Sequence, residues 1–224
     1  MLVLLSGCGG DDPEDGASTD TRETTSTAAP AETAEDRQEV LEAVALDDED
    51  LPPGQRFELY EGGDEVIDQV TMDLCGAAFP SEALRTARLQ QGSAGAADDE
   101  FVSNENVLYR DAAAAEQALT ELREVVELCP ADEFLPSSVE GVPDLRYDLT
   151  PLGEDQLGPL AEDHVAFGAV VAARDGESFS QTSVFLRRGR VVTVIYLADP
   201  GAARSHVATL VEHLGALSPD DAQD

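Results

Sequence analysis

The chain has 224 residues, 47 acidic against 13 basic side chains, a formal charge of −34 and a hydrophobic fraction of 42%. That apolar content supplies a core for one domain of ordinary size plus a tail, so the chain is not wholly disordered. The acidic surface repels phosphates and excludes nucleic-acid binding, and no stretch reaches the roughly 18 apolar residues of a membrane-spanning helix.

The chain opens on a short apolar run, residues 1–5, followed directly by Ser6, Gly7 and Cys8. Leu5-Ser6-Gly7-Cys8 resembles a bacterial lipobox, in which a signal peptide is cut before the Cys and the thiol carries a diacylglycerol. The basic n-region and most of the apolar h-region of such a signal are missing, so residues 1–8 are read as a signal remnant with its lipobox. Two acyl chains give stable anchoring where one would be marginal. The expected site is Cys8, and the expected partner is the membrane.

Residues 9–37 are rich in Gly, Asp, Glu, Ser, Thr, Ala and Pro, with no aromatic side chain. Such a segment cannot bury enough apolar surface to offset chain entropy, and it is expected to be a disordered acidic tether. About thirty flexible residues reach roughly 30 Å. A calcium-loop match starting at Asp11 fails, because Pro13 holds the third place and Arg22 the twelfth, where a bidentate Glu is needed.

The folded domain is expected over residues 38–218, with residues 219–224 a disordered tail. Residues 38–46 read as a short helix with Val40, Leu41 and Val44 on one face, followed by a rigid corner at Leu51-Pro52-Pro53-Gly54. Residues 66–74 read as a strand or extended segment. Ser81 reads as the N-cap of a helical turn running to Arg88, residues 92–99 as a small-residue acidic loop, and residues 101–109 as a strand. The clearest element runs from the Asp111 cap to Cys129: Ala115, Ala118, Leu119, Leu122, Val125, Val126 and Cys129 recur at helical spacing, and Pro130 ends it. After a loop, residues 145–149 read as a short strand and residues 153–159 as another loop. Residues 164–173, 178–187 and 190–198 then read as a three-strand meander, with turns at Asp175-Gly176 and Arg188-Gly189. The last of these strands is apolar on both faces, as a central strand is. A final helix over residues 201–214 carries Ala203, Val207, Leu210, Val211 and Leu214 on one face. The fold class is therefore α+β: an antiparallel sheet with a C-terminal three-strand meander, packed by two main helices and preceded by the tether.

With Cys8 assigned to lipid, Cys75 and Cys129 form an even pair for an oxidising compartment, and two buried thiols are the alternative. A bridge closing some 55 residues stabilises by roughly 4 kcal/mol on the chain-entropy model. Chemistry is sparse. His164, His206 and His213 lack the further ligands of a zinc site, so no metal and no cofactor is expected. Gly92-Ser93-Ala94-Gly95 has the wrong spacing for a nucleophile elbow, and carboxylate pairs are too dense to single one out. No catalytic residue is assigned, and the chain is read as non-enzymatic. Arg85 and Arg88 stand out as a positive spot, open to an anionic ligand or to pairing with nearby carboxylates. Arg187, Arg188 and Arg190 read as a charged, solvated turn.

Leu51-Pro52-Pro53-Gly54, Leu74-Cys75-Gly76 with Phe79-Pro80-Ser81-Glu82, the strand ending at Tyr109, the helix from Asp111 to Cys129, and the last two strands and helix together resemble a known layout. It is that of actinobacterial cell-envelope lipoproteins whose domain is similar to the extracellular sensor domain of mycobacterial serine/threonine receptor kinases. The resemblance spans residues 38–217. It implies an antiparallel sheet with helices and a ligand-binding cleft, whose shape is left open because those domains have two disulfides and this chain has one available pair. It carries no catalytic residues. The chain is thus expected to be a lipid-anchored, monomeric binding or sensing module at the outer face of the cytoplasmic membrane. Its unknown envelope ligand or protein partner has no assignable binding residues. The alternatives are a structural, partner-binding envelope lipoprotein and an envelope hydrolase.

Overall fold

The computed structural model describes residues 32–67, 69–95, 101–136, 143–198 and 200–222. Seven strands form one antiparallel sheet: β1 (Arg56–Leu59), β2 (Arg85–Ala94), β3 (Val102–Tyr109), β4 (Leu145–Pro151), β5 (Asp163–Ala173), β6 (Ser178–Arg188) and β7 (Val191–Leu197). Their order across the sheet is β1-β2-β3-β7-β6-β5-β4. The expected C-terminal meander is β5-β6-β7, extended by β4 at its outer edge. β7 takes the central place that its two apolar faces require.

Helices cover both faces, and the stretch read as a loop over residues 153–159 contains a short helical turn, α3 (Glu154–Leu157). On one face, α1 (Ala34–Val44) and α4 (Pro200–Ala216) pack Val40, Leu41, Val44, Val207, Leu210 and Leu214 against Leu108, Val184, Leu186 and Ile195. On the other, α2 (Ala112–Leu128) packs Ala115, Ala118, Leu119 and Leu122 against Val107, Phe167, Phe185 and Val194. Each buried Leu or Val contributes about 1.5–3 kcal/mol relative to exposure. Asp111 caps α2 by accepting from the Ala114 amide at 2.8 Å, and the chain leaves the helix at Cys129-Pro130 as its sequence dictates.

Several expectations change. α1 begins at Ala34, inside the segment read as tether, because Thr33 and Asp36 form a reciprocal capping box, with Asp36 N to Thr33 Oγ1 at 3.1 Å and Thr33 N to Asp36 Oδ2 at 2.7 Å. The segment from Ser81 to Arg88 is not a helix: one 3₁₀ turn (Pro80–Leu84) gives way to β2 at Arg85. Ser81 lies inside that turn, fully buried, its hydroxyl donating to Glu121 Oε2 at 2.6 Å. The described residues of 66–74 form no strand; their polar backbone is held by side chains, as described below. Part of the C-terminal tail folds as a last helical turn, α5 (Pro219–Ala222), with Ala222 buried.

Gly189 makes the β6–β7 turn at a φ of +58°, and a Cβ there would lie 1.7 Å from the Ala222 carbonyl oxygen. Glycine at this turn thus serves both the left-handed backbone and the close approach of α5. Arg190, which follows, is not solvated as expected: it is buried and paired with Glu32. The expected lipidation at Cys8 and the tether up to residue 31 lie outside the described residues.

Candidate ligand cleft

Antiparallel pairing puts every second residue of β4 to β7 on the α2 side of the sheet. Tyr147, Phe167, Phe185 and Tyr196 thereby share that face. Phe167 and Phe185 stack at 6.3 Å between centroids, and Tyr196 meets Phe185 edge-on at 6.0 Å. α2 covers part of this aromatic floor through Leu122, and the segment 71–74 forms a facing wall. Between them lies a cleft of about 150 Å³, with Phe179, which is 55% exposed, at its rim. A largely apolar space of this size holds one small ring or a branched group.

The wall is tied at both ends. At one end, Cys75 and Cys129 are joined in a disulfide with their Cα atoms 5.7 Å apart, so the wall is stapled to the end of α2. Cys75 has a φ of +55°, and Gly76 follows at +63°. A non-glycine residue in this region costs on the order of 1 kcal/mol and persists where its surroundings hold it; here the bridge does so.

At the other end Thr71 is the hub of a buried ionic network. Its hydroxyl donates to Glu105 Oε1 at 2.7 Å and accepts from Arg85 Nη1 at 2.8 Å. Its amide donates to Glu82 Oε2 at 3.0 Å, and its carbonyl accepts from the Tyr196 hydroxyl at 3.2 Å. Arg88 Nε donates to Glu105 Oε1 at 2.6 Å, with both side chains sealed from solvent, and Arg85 pairs with Glu82 at 3.0 Å. Arg85 also donates to the Val66 carbonyl at 3.0 Å, fixing the chain before the wall. The positive spot at Arg85 and Arg88 is thus taken up by carboxylates. Burial raises the Glu82 carboxyl above its ordinary value, while the Thr71 amide and Arg85 oppose the shift. Burial also drives the Tyr196 phenol well up. Burial first and the Asp73 charge second push Tyr147 up to about 12.

Elsewhere the histidines are structural. His206 is buried, and burial lowers its pKa against the opposing charge of Asp50. His164 Nδ1 lies 2.8 Å from the Ala161 carbonyl and His213 Nδ1 3.1 Å from the Ala45 carbonyl. Among the described residues no group of three His, Cys, Asp or Glu side chains could hold a metal ion. Asp163 accepts from Arg123 and Arg187; burial works against ionisation there, but the two guanidinium groups outweigh it and lower the pKa. No helix among the described residues is long and apolar enough to cross a membrane.

Sequence reasoning assigned no residue to this cleft. The signal was present as aromatic residues at even spacing in β6 (Phe179 and Phe185) and at matching positions in β4, β5 and β7, but α2's coverage of that face was not readable.

No family model matches the chain, and no curated protein matches it in sequence. In structure it is similar to the extracellular domain of PknH from Mycobacterium tuberculosis, with a TM-score of 0.51 at 12% identity, over 80% of this chain and 96% of that one. The two share a fold.

Proposed function

We propose that this chain is a non-enzymatic binding or sensing module displayed outside the cytoplasmic membrane, as a monomer held by lipid on Cys8. The observation that carries the reading is the aromatic cleft of about 150 Å³, its wall fixed on one side by a disulfide and on the other by a buried ionic network. A rigid, largely apolar concavity with few polar groups is the usual form of a small-ligand site. The fold shared with an extracellular domain is compatible with sensing, and the Cys75–Cys129 bridge suits an oxidising compartment. The lipobox supports the anchor.

The test is native mass spectrometry of the full chain purified gently from its own envelope. A reproducible added mass that is lost on denaturation, and lost also in a Phe185→Ala variant, supports the reading. A clean apo mass under conditions that preserve the disulfide refutes it. That outcome would favour a structural, partner-binding lipoprotein, a reading supported by the exposure of Leu59 (52%), Ile67 (78%) and Leu128 (78%). The anchor is tested separately: radiolabelled palmitate should enter the wild-type chain and not Cys8→Ser, and equal labelling of both would refute it.

A further inference from the structure

We propose that the Cys75–Cys129 bridge is a thiol-exchange site, reduced by a dithiol that reaches it from the surface, and that its reduction frees the cleft wall. The exchange stands on the bridge's own surroundings, while its effect on binding rests on the reading of the cleft as a ligand site. A disulfide reacts only where a thiolate can reach one of its sulfurs, and exposed bridges are the labile, regulatory ones. Both cysteines line a surface groove of about 280 Å³ beside the last turn of α2, with Ala77, Val125, Leu128 and Pro130. Leu128 is exposed and Cys129 half-buried. Among the described residues the groove shares none of its lining with the aromatic cleft, so a thiol arrives without entering the cleft.

The backbone supplies a second, independent observation. Cys75 holds a φ of +55°, and this left-handed conformation in a non-glycine residue persists only where its surroundings impose it. Residues 71–74 of the wall have no strand ladder of their own. They hang between the bridge and Thr71, whose amide donates to Glu82 Oε2 at 3.0 Å and whose hydroxyl donates to Glu105 Oε1 at 2.7 Å. Breaking the bridge lets Cys75 relax to ordinary backbone while Thr71 stays in place, so the wall swings about Thr71 and the sheet is untouched. In the exchange, a thiolate of the dithiol attacks Cys129 Sγ, the S–S bond breaks, and Cys75 leaves as a thiolate that takes up a proton. The dithiol's second thiol then displaces Cys129 as a thiol. The dithiol ends as a disulfide, having given two electrons and two protons to the bridge.

The probe is dithiothreitol, added to the oxidised full chain without denaturant, with the thiols of Cys75 and Cys129 counted over time by alkylation and peptide mass spectrometry. The rate of reduction should rise in proportion to dithiothreitol and change less than about twofold between 0 and 1 M urea, as for a site open in the native state. A bridge reached only through unfolding would be reduced about fivefold faster or more at 1 M urea, and that result overturns the site. A reduced Cys-x-x-Cys domain at matched thiol concentration forms a second arm: faster reduction than by dithiothreitol places the reductant on a protein, and slower reduction places it on a small dithiol. Once the bridge is reduced, NMR should show the methyl resonances of Met72 and Leu74 shifted and those of Ile195 and Leu210 unmoved, with far-UV circular dichroism unchanged. Unmoved Met72 and Leu74 methyls, or loss of the whole fold on reduction, overturns the release of the wall. An added mass carried from the envelope by the oxidised chain should be lost on reduction; a mass retained after reduction overturns the coupling to the cleft. Native-state reduction with a clean apo mass in both forms leaves the exchange site standing and removes the ligand reading alone.

Discussion

Replacing Glu105 by Gln keeps the side chain's shape and removes its charge. Arg88 is then left sealed in the protein, 2% exposed, without the carboxylate that lies 2.6 Å away in the native domain. Breaking a buried pair by removing one partner costs about 3–5 kcal/mol, because the remaining charge is desolvated and uncompensated. That is a large share of the roughly 5–15 kcal/mol by which a domain is stable. For a domain of this size it lowers the melting midpoint by roughly 10 °C. The loss should be local as well as global, since Glu105 also accepts from Thr71, the root of the cleft wall. Amides of residues 71–74 should therefore exchange faster than those of β7, measured by hydrogen exchange on the folded variant. Urea unfolding followed by far-UV circular dichroism gives the stability. The double variant Arg88→Met with Glu105→Leu should be more stable than Glu105→Gln, since no charge remains buried. A loss under 1 kcal/mol for Glu105→Gln, or strictly additive single substitutions, would refute the assignment of this pair as the wall's support.

The paired change Cys75→Ser and Cys129→Ser opens a loop with a sequence separation of 54 and should cost about 4 kcal/mol; unchanged urea midpoints with and without reductant would count against it. His206 is held neutral by burial, its pKa lowered from 6.5. The unfolded chain therefore takes up the proton first, and this stabilisation is complete above pH 6.5 and is lost as the pH falls through the lowered value. Thermal melts between pH 7.5 and 5.5 should fall more steeply for the wild type than for His206→Gln, and parallel curves would exclude the coupling. Gly189→Ala, whose Cβ would collide with the Ala222 carbonyl, should detach α5 and expose the C-terminus to carboxypeptidase; resistance equal to wild type would contradict that contact. Leu210→Ala, fully buried on α4, should cost about 2–5 kcal/mol in urea unfolding.

The elements legible in the sequence are those whose burial is apolar. α2 announces itself by its helical repeat and Pro130, and β7 by seven residues that fit a strand covered on both sides. β2 did not, because its face toward α2 carries Arg88, which is buried, and Gln90, which is half-buried, so its alternation is hidden in polar residues. β3 was legible as a strand but its burial was not: Ser103, Asn104, Glu105 and Asn106 are all buried, and their partners come from distant segments, as when the Thr193 hydroxyl donates to Asn106 Oδ1 at 2.6 Å. Polar residues become interior only once the tertiary partner exists, and no local pattern records that partner. The cleft was illegible for a related reason. Its rings come from four strands, and the space among them depends on where α2 stops.

The strand order divides the sheet into two meanders, β1-β2-β3 and β7-β6-β5-β4, sewn along the single β3–β7 seam. Within each meander, strands meet neighbours close in the chain; across the seam, Asn106 and Thr193 are 87 residues apart. Closing that distance carries the larger loop entropy, so the seam is the slow join in assembly. Both cysteines fall before residue 136, on the first meander's side, so the bridge can close before the seam does. A chain divided between residues 136 and 143 would yield two pieces, one already cross-linked, each bringing a finished half of the sheet to an edge complementary to the other.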